Sequence, residues 1–325
     1  MKKYPVPWHF IDVDQSRPFS EVPTTFYAQP SSIAPVCGLY RRYDDLMAEH
    51  DVAVVLTGVG GDGVLIGDSP EPHFLADHLQ RLNLPALWSE LRRWQQQSPQ
   101  QRSLTYWFSR NVARPLVDYL RGRSIRNTAS PQGLPPWIRR DYARQSRLAD
   151  RGRSRRSTKC RRVGEQAHWE ILWNIGLFSG AGREQYPTSF EYRNPLLDRR
   201  LVEFMFSVPW HEKLDPDEDR TLQRRALRGI LPEKIRTRRG KLGPQQAFFE
   251  GLREARSWID LLTTRPRIVE RGYVDKLKWR EAVSLARFGQ THSMRHFLAS
   301  AMLEIWLQQL ESMPWAFLSY PAATV

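Results

Sequence analysis

Asp51-Val52-Ala53-Val54-Val55-Leu56-Thr57-Gly58-Val59-Gly60-Gly61-Asp62-Gly63 is the stretch on which the fold turns. Its first seven residues form a continuous β-branched and apolar run without alternation, the pattern of a strand buried on both faces of a parallel sheet. The run passes straight into a loop so rich in glycine that it can turn sharply. Open α/β sheets bind ligands at the carboxyl ends of their strands, and a carboxylate placed there can hold Mg²⁺ that carries nucleotide phosphates. The alternative for the loop on its own is a tight turn with Asp62 facing solvent. Gly58 to Gly63 also fits the dinucleotide pattern GxGxxG. That turn should open a helix onto the pyrophosphate, however, and Pro70 and Pro72 interrupt the chain soon after the loop. A P-loop is excluded, because no Gly-Lys-Ser/Thr occurs.

Working outward, the first fifty residues are rich in proline, with a short strand-like run at His9 to Val13 and a helical stretch near Cys37 to Glu49. Beyond Pro72 the chain reads as helical: Phe74 to Leu82, Leu84 to Trp94, Tyr106 to Leu120, Trp169 to Phe178, Arg199 to Ser207, Arg220 to Arg228, Gln245 to Leu262 and His292 to Leu310 carry apolar residues at helical spacing. Most of the 12 tryptophans fall in these stripes, where core packing explains them better than ligand stacking. The sum is a partial nucleotide-binding α/β portion over residues 1–73 and a helix-rich remainder over 74–325.

At 325 residues with 41% hydrophobic side chains, the chain can bury a sizeable core. No apolar run is long enough to span a bilayer and no apolar signal core follows Met1, so a cytoplasmic protein without membrane contact is expected. Cys37 and Cys160 stand far apart, with no CxxC pair to suggest a disulfide framework or zinc site. The net charge of +14 favours polyanions but names no partner. Much of the excess sits between about residues 139 and 162, a stretch read as a solvated loop. A nucleic-acid groove would add aromatic platforms, and only Tyr142 lies there, so that reading ranks last. His292 and His296 share a helix face at ligand spacing, but no HExxH glutamate accompanies them.

Two further blocks come after the glycine loop. Glu191-Tyr192-Arg193-Asn194-Pro195-Leu196-Leu197-Asp198 precedes the amphipathic Leu201 to Pro209. Arg220 to Gly229 leads through Leu231-Pro232-Glu233-Lys234-Ile235 to Arg238-Arg239-Gly240-Lys241-Leu242-Gly243. In this order the three blocks resemble the asparagine synthase family, which includes the synthetase domain of asparagine synthetase, beta-lactam synthetase and lasso-peptide macrolactam cyclases. The likeness runs from about Asp51 to about Gly243. Asp14-Gln15-Ser16-Arg17-Pro18-Phe19 and Gly67-Asp68-Ser69-Pro70 look most like the macrolactam cyclases.

The resemblance implies an adenine-nucleotide alpha-hydrolase-like parallel sheet, ATP and Mg²⁺ as cofactors, and an AMP-forming amide ligase. Its substrates would be a small-molecule or peptide carboxylate and an amine. Carried over by position, Gly58, Gly60 and Gly61 resemble the nucleotide loop and Asp62 its magnesium ligand. Glu191 resembles the glutamate lining the acceptor site, and Lys241 the lysine that neutralises charge as pyrophosphate leaves. Bringing two anions together to adenylate a carboxylate requires such a metal and a fixed cation. Glu191 and Arg193 could instead be a structural ion pair, and Lys241 a surface lysine.

Two departures matter. The family's pyrophosphatase loop, Ser-Gly-Gly-x-Asp-Ser, is absent from residues 1–57, so the sheet is expected to be incomplete and a companion chain could supply the loop. Val59 stands where relatives often place a polar group that helps deprotonate the amine, and valine cannot do so. Either the substrate's geometry makes that base unnecessary, or the chain is a non-catalytic remnant or partner subunit.

Overall fold

The computed structural model describes residues 7–26, 28–66, 71–97, 102–125, 134–148, 158–183, 189–238, 245–291 and 293–313. It is a mixed α/β arrangement in which a small parallel sheet of two strands, β1 (Val54–Leu56) and β2 (Glu191–Arg193), sits among many helices. The strands pair in register Val54 to Glu191, Val55 to Tyr192 and Leu56 to Arg193. The Glu191 amide donates to the Ala53 carbonyl and the Thr57 amide to the Arg193 carbonyl, each at 2.9 Å. In a parallel ladder alternate residues face opposite edges. Val54 and Leu56 therefore turn their backbone groups to the other edge of β1, where no strand pairs among the described residues.

That arrangement corrects the reading of residues 51–57 as a strand buried on both faces. Val54 is 38% and Leu56 69% exposed. An apolar run records the cover a strand is suited to, and here the neighbours that would provide it are missing from the described residues. The run His9 to Val13 is not a strand either. Its end forms a 3₁₀ turn, Val13–Gln15, in which the Asp12 carboxylate accepts the Asp14 amide at 2.9 Å, a local bond that competes with sheet pairing.

The helical stripes translate closely. Cys37–Glu49, Leu75–Gln80, Leu84–Gln97, Arg199–Ser207 and Met294–Ser312 are helices, and the stripe near Trp169 becomes Val163–Arg183. Two stripes are subdivided. Tyr106 to Leu120 contains a π-helical turn at Ser109–Ala113, and Gln245 to Leu262 breaks at Ala255 into Gln245–Glu254 and Arg256–Thr263. The basic stretch is not loop throughout, because Arg140–Gln145 is helical, and residues 149–157 lie outside the described ones.

Two apolar cores organise the helices. One gathers Trp137, Trp258, Trp279 and Phe297 from the later helices with Phe19 and Ala34 from the proline-rich start. Each of the three indoles finds an acceptor: Trp258 the Glu21 carbonyl at 2.7 Å, Trp279 the Leu262 carbonyl at 2.7 Å, and Trp137 the Ser300 hydroxyl at 3.0 Å. A buried indole left unpaired would forfeit part of the gain from its burial. The second core holds Ile66, Leu75, Leu91, Trp94, Val112 and Val163 with their neighbours, just behind the glycine loop. No helix among the described residues is long and apolar enough to cross a membrane.

Candidate active site

The glycine loop leaves the carboxyl end of β1 and becomes a single helical turn, Gly61–Val64, entered through Gly60 with φ of 89°. Only glycine adopts that backbone without cost. A Cβ on Gly60 would also lie 2.3 Å from Leu197 Cδ2, and one on Gly61 2.7 Å from Leu196 Cδ1. The Pro-Leu-Leu of the second block therefore packs directly on the Gly-Gly of the first, and each needs the other's shape. Thr57 reinforces the junction. Its hydroxyl donates to Asn194 Oδ1 at 2.5 Å and accepts the Val59 amide at 3.1 Å, tying the carboxyl ends of both strands. Asp198 then caps the helix Arg199–Ser207 by accepting the Arg200 amide at 2.9 Å.

The third block reaches the loop through Arg220. Its guanidinium pairs with the Asp62 carboxylate, and the two side chains are 28% and 40% exposed. Arg220 stands in the left-handed region (φ 55°, ψ 35°) at the entry to the helix Thr221–Ala226. One turn on, Arg224 acts as a staple. It donates to the carbonyls of Arg236 and, at 3.1 Å, Arg238, and to Asp219 through its carbonyl at 2.9 Å and its carboxylate at 2.8 Å. The chain segment that leads toward Lys241 is thus fastened to the residue preceding Arg220. Lys241 itself, with Gly240 and Gly243, lies outside the described residues, as does His292.

Glu191 begins β2, level with Val54, so along the strand direction it stands about 10 Å before the loop starts at Thr57. Its carboxylate is engaged by Arg193 through two contacts of 3.0 Å, Nε to Oε1 and Nη2 to Oε2, and both side chains are exposed. Arg193 holds the Glu191 carboxyl below the usual carboxylate range. The ion pair weighed from the sequence is therefore present. Asp62 and Glu191 are carried by adjacent strands but sit toward opposite ends of them.

Beneath the loop, His168 is 1% exposed and stacks on Phe206, with ring centres 5.1 Å apart. Burial, then the Lys213 ammonium, push its pKa from 6.5 down to about 3, against a hydrogen bond to the Gly63 backbone. Lys213, also buried, donates to the Met205 carbonyl at 2.9 Å and lies 4.6 Å from the Trp210 ring centre; burial lowers it to about 8. Sequence reading misses His168, which carries no local signal. It also misses Arg220, Thr57 and Asn194 as site residues, although each adjoins or lies within one of the three blocks.

Asp62 is the carboxylate of the glycine loop that could hold a metal arriving with phosphates. No group of three or more potential ligand side chains occurs among the described residues. A single carboxylate on a glycine loop suits Mg²⁺, which commonly binds through one or two carboxylates plus substrate phosphates.

The asparagine synthase family profile matches residues 6–308. Among curated relatives, "Asparagine synthetase [glutamine-hydrolyzing] 3" of Bacillus subtilis (strain 168) is 26% identical over 147 residues, which cover 42% of this chain and 24% of that relative. The chain thus spans about a quarter of the length of the relative it matches. No solved structure matches.

Proposed function

Because the chain belongs to the asparagine synthase family, we propose that it is an ATP-dependent amide ligase. In this reading a carboxylate displaces pyrophosphate from ATP to form an acyl-adenylate, which ammonia or an amine then attacks to give an amide and AMP. The proposed sheet is of the adenine-nucleotide alpha-hydrolase kind. The observation that carries the reading is the interlock of the three blocks: Leu196 and Leu197 on the Gly60-Gly61 turn, Arg220 on Asp62, and Arg224 on the segment leading to Lys241.

ATP would supply the AMP that makes a carboxylate acylating, with pyrophosphate departing as the acyl-adenylate forms. Asp62 would hold the magnesium at the mouth of the loop, while Gly58, Gly60 and Gly61 let the backbone approach the phosphates closely. Lys241 would neutralise charge at the leaving group. Glu191 is ionised and already taken up by Arg193. With Val59 at the position of the missing polar group, it would act by orienting the amine substrate rather than as a free base.

No strand among the described residues pairs with the Val54 and Leu56 edge of β1, which favours a second reading, in which a companion chain brings the Ser-Gly-Gly-x-Asp-Ser loop on a strand of its own. The substrate pair would be a small or peptide carboxylate and an amine, including closure of a peptide macrolactam.

Carboxylate-dependent exchange of labelled pyrophosphate into ATP tests the proposal. We expect exchange with candidate acids, reduced about 100-fold or more by Asp62→Asn or Lys241→Ala. Exchange that appears only with a companion chain supports the second reading. Exchange that survives both substitutions sinks the assignment of these residues.

A further inference from the structure

We propose that Arg220 makes Asp62 selective for a metal that arrives already bound to a nucleotide, by occupying the carboxylate whenever the site is empty. This rests on the ligase reading of the same loop.

Three observations carry it. The Asp62 carboxylate is neutralised by the Arg220 guanidinium, so a bare divalent cation meets a carboxylate whose charge is already matched. Displacing the guanidinium would strand a cation beside the metal, since the Arg220 Nε is buried with no acceptor among the described residues. Coulomb repulsion between that cation and a doubly charged metal a few ångströms away opposes binding. A metal that comes with a polyphosphate brings anionic charge that offsets the released guanidinium, and the penalty disappears. The backbone supports a dedicated role as well. Arg220 holds φ of 55°, a conformation that an L-residue with a long side chain adopts only when its surroundings enforce it. Arg224, bonded to the Asp219 carbonyl and carboxylate, fixes the residue immediately before it.

The same geometry supplies a variant that should fold. Asparagine tolerates the left-handed region better than arginine does, so Arg220→Asn removes the charge without adding backbone strain. Binding of Mn²⁺ is read by electron paramagnetic resonance on the full chain, with and without ATP. Without nucleotide we expect Arg220→Asn to bind Mn²⁺ about ten-fold more tightly than the wild type, and Arg220→Lys to behave as the wild type. The gain should vanish in the Asp62→Asn, Arg220→Asn double variant. With ATP present, wild type and Arg220→Asn should take up Mn²⁺ with affinities within about three-fold of each other.

Equal affinity of wild type and Arg220→Asn for the free ion, with Mn·ATP bound by both, overturns this inference and leaves the ligase reading standing. Tight free Mn²⁺ that persists in the double variant also overturns it, because the metal is then elsewhere. Failure of every protein to bind Mn·ATP overturns both.

Discussion

His168 shows how a single buried ring sets a pH limit on the loop above it. Its pKa is held at about 3 in the fold against 6.5 when exposed, so between those values the unfolded chain binds more protons. The stability this neutral ring contributes is complete above pH 6.5 and drains away as pH falls toward 3. Asp77 works in the opposite sense: burial raises it from 3.8 to about 6, so acidification through that window relieves a buried charge. Replacing His168 with Asn separates the two. In denaturant melts, wild type should lose about 2 kcal/mol relative to the variant between pH 7 and pH 5. Parallel pH profiles would show that the ring is not held neutral. Neither this ring nor Arg220 can be recognised from the chain alone. Asp62 and Glu191 stand inside ordered motifs, whereas the Arg220 contact joins residues 158 positions apart. His168 sits in a helical stripe where a lone histidine has no distinguishing neighbour.

At the level of elements, helices are more legible than strands. A helix writes its buried face into its own sequence every three or four residues, and Cys37–Glu49 and Arg199–Ser207 begin and end where the spacing places them. The break at Ala255 is hidden because the apolar stripe runs on through it; only the backbone (φ −80°, ψ 75°) leaves the helical region there. β1 reads as more buried than it is for the converse reason, since strand burial depends on partners that a local window does not contain. The later helices supply a sharp test of their core. Trp279 is fully buried against Trp137 and Phe297, with ring centres 6.1 and 5.7 Å away. Trp279→Ala should cost about 3–5 kcal/mol by urea denaturation, whereas Trp88→Ala, at a site half-exposed to water, should change stability by no more than about 0.5 kcal/mol.

Over the whole molecule the proline-rich start and the last helices share one core, while the glycine loop rests on the other. The start is clamped at several points: Arg17 bonds Glu254 at 3.0 Å, and Gln309 donates to the Pro23 carbonyl at 2.7 Å. A Cβ on Gly251 would lie 2.1 Å from the Pro18 carbonyl oxygen, so the two segments touch backbone to backbone. The order of the three motif blocks is readable along the chain. This closure between sequence-distant ends is not, because nothing in a proline-rich segment states which surface it covers.

The edge of β1 that pairs with no strand among the described residues has a practical consequence for handling the protein. Leu56 is mostly in water on that edge, a template on which an extended chain can hydrogen-bond, so crowded preparations should lose material by strand-on-strand association. A charge at that spot acts as a gatekeeper: Leu56→Lys should raise recovery of monodisperse protein, read by light scattering at increasing concentration, with the melting temperature shifted by no more than about 2 °C. If the substitution leaves aggregation unchanged, the sticky surface lies elsewhere.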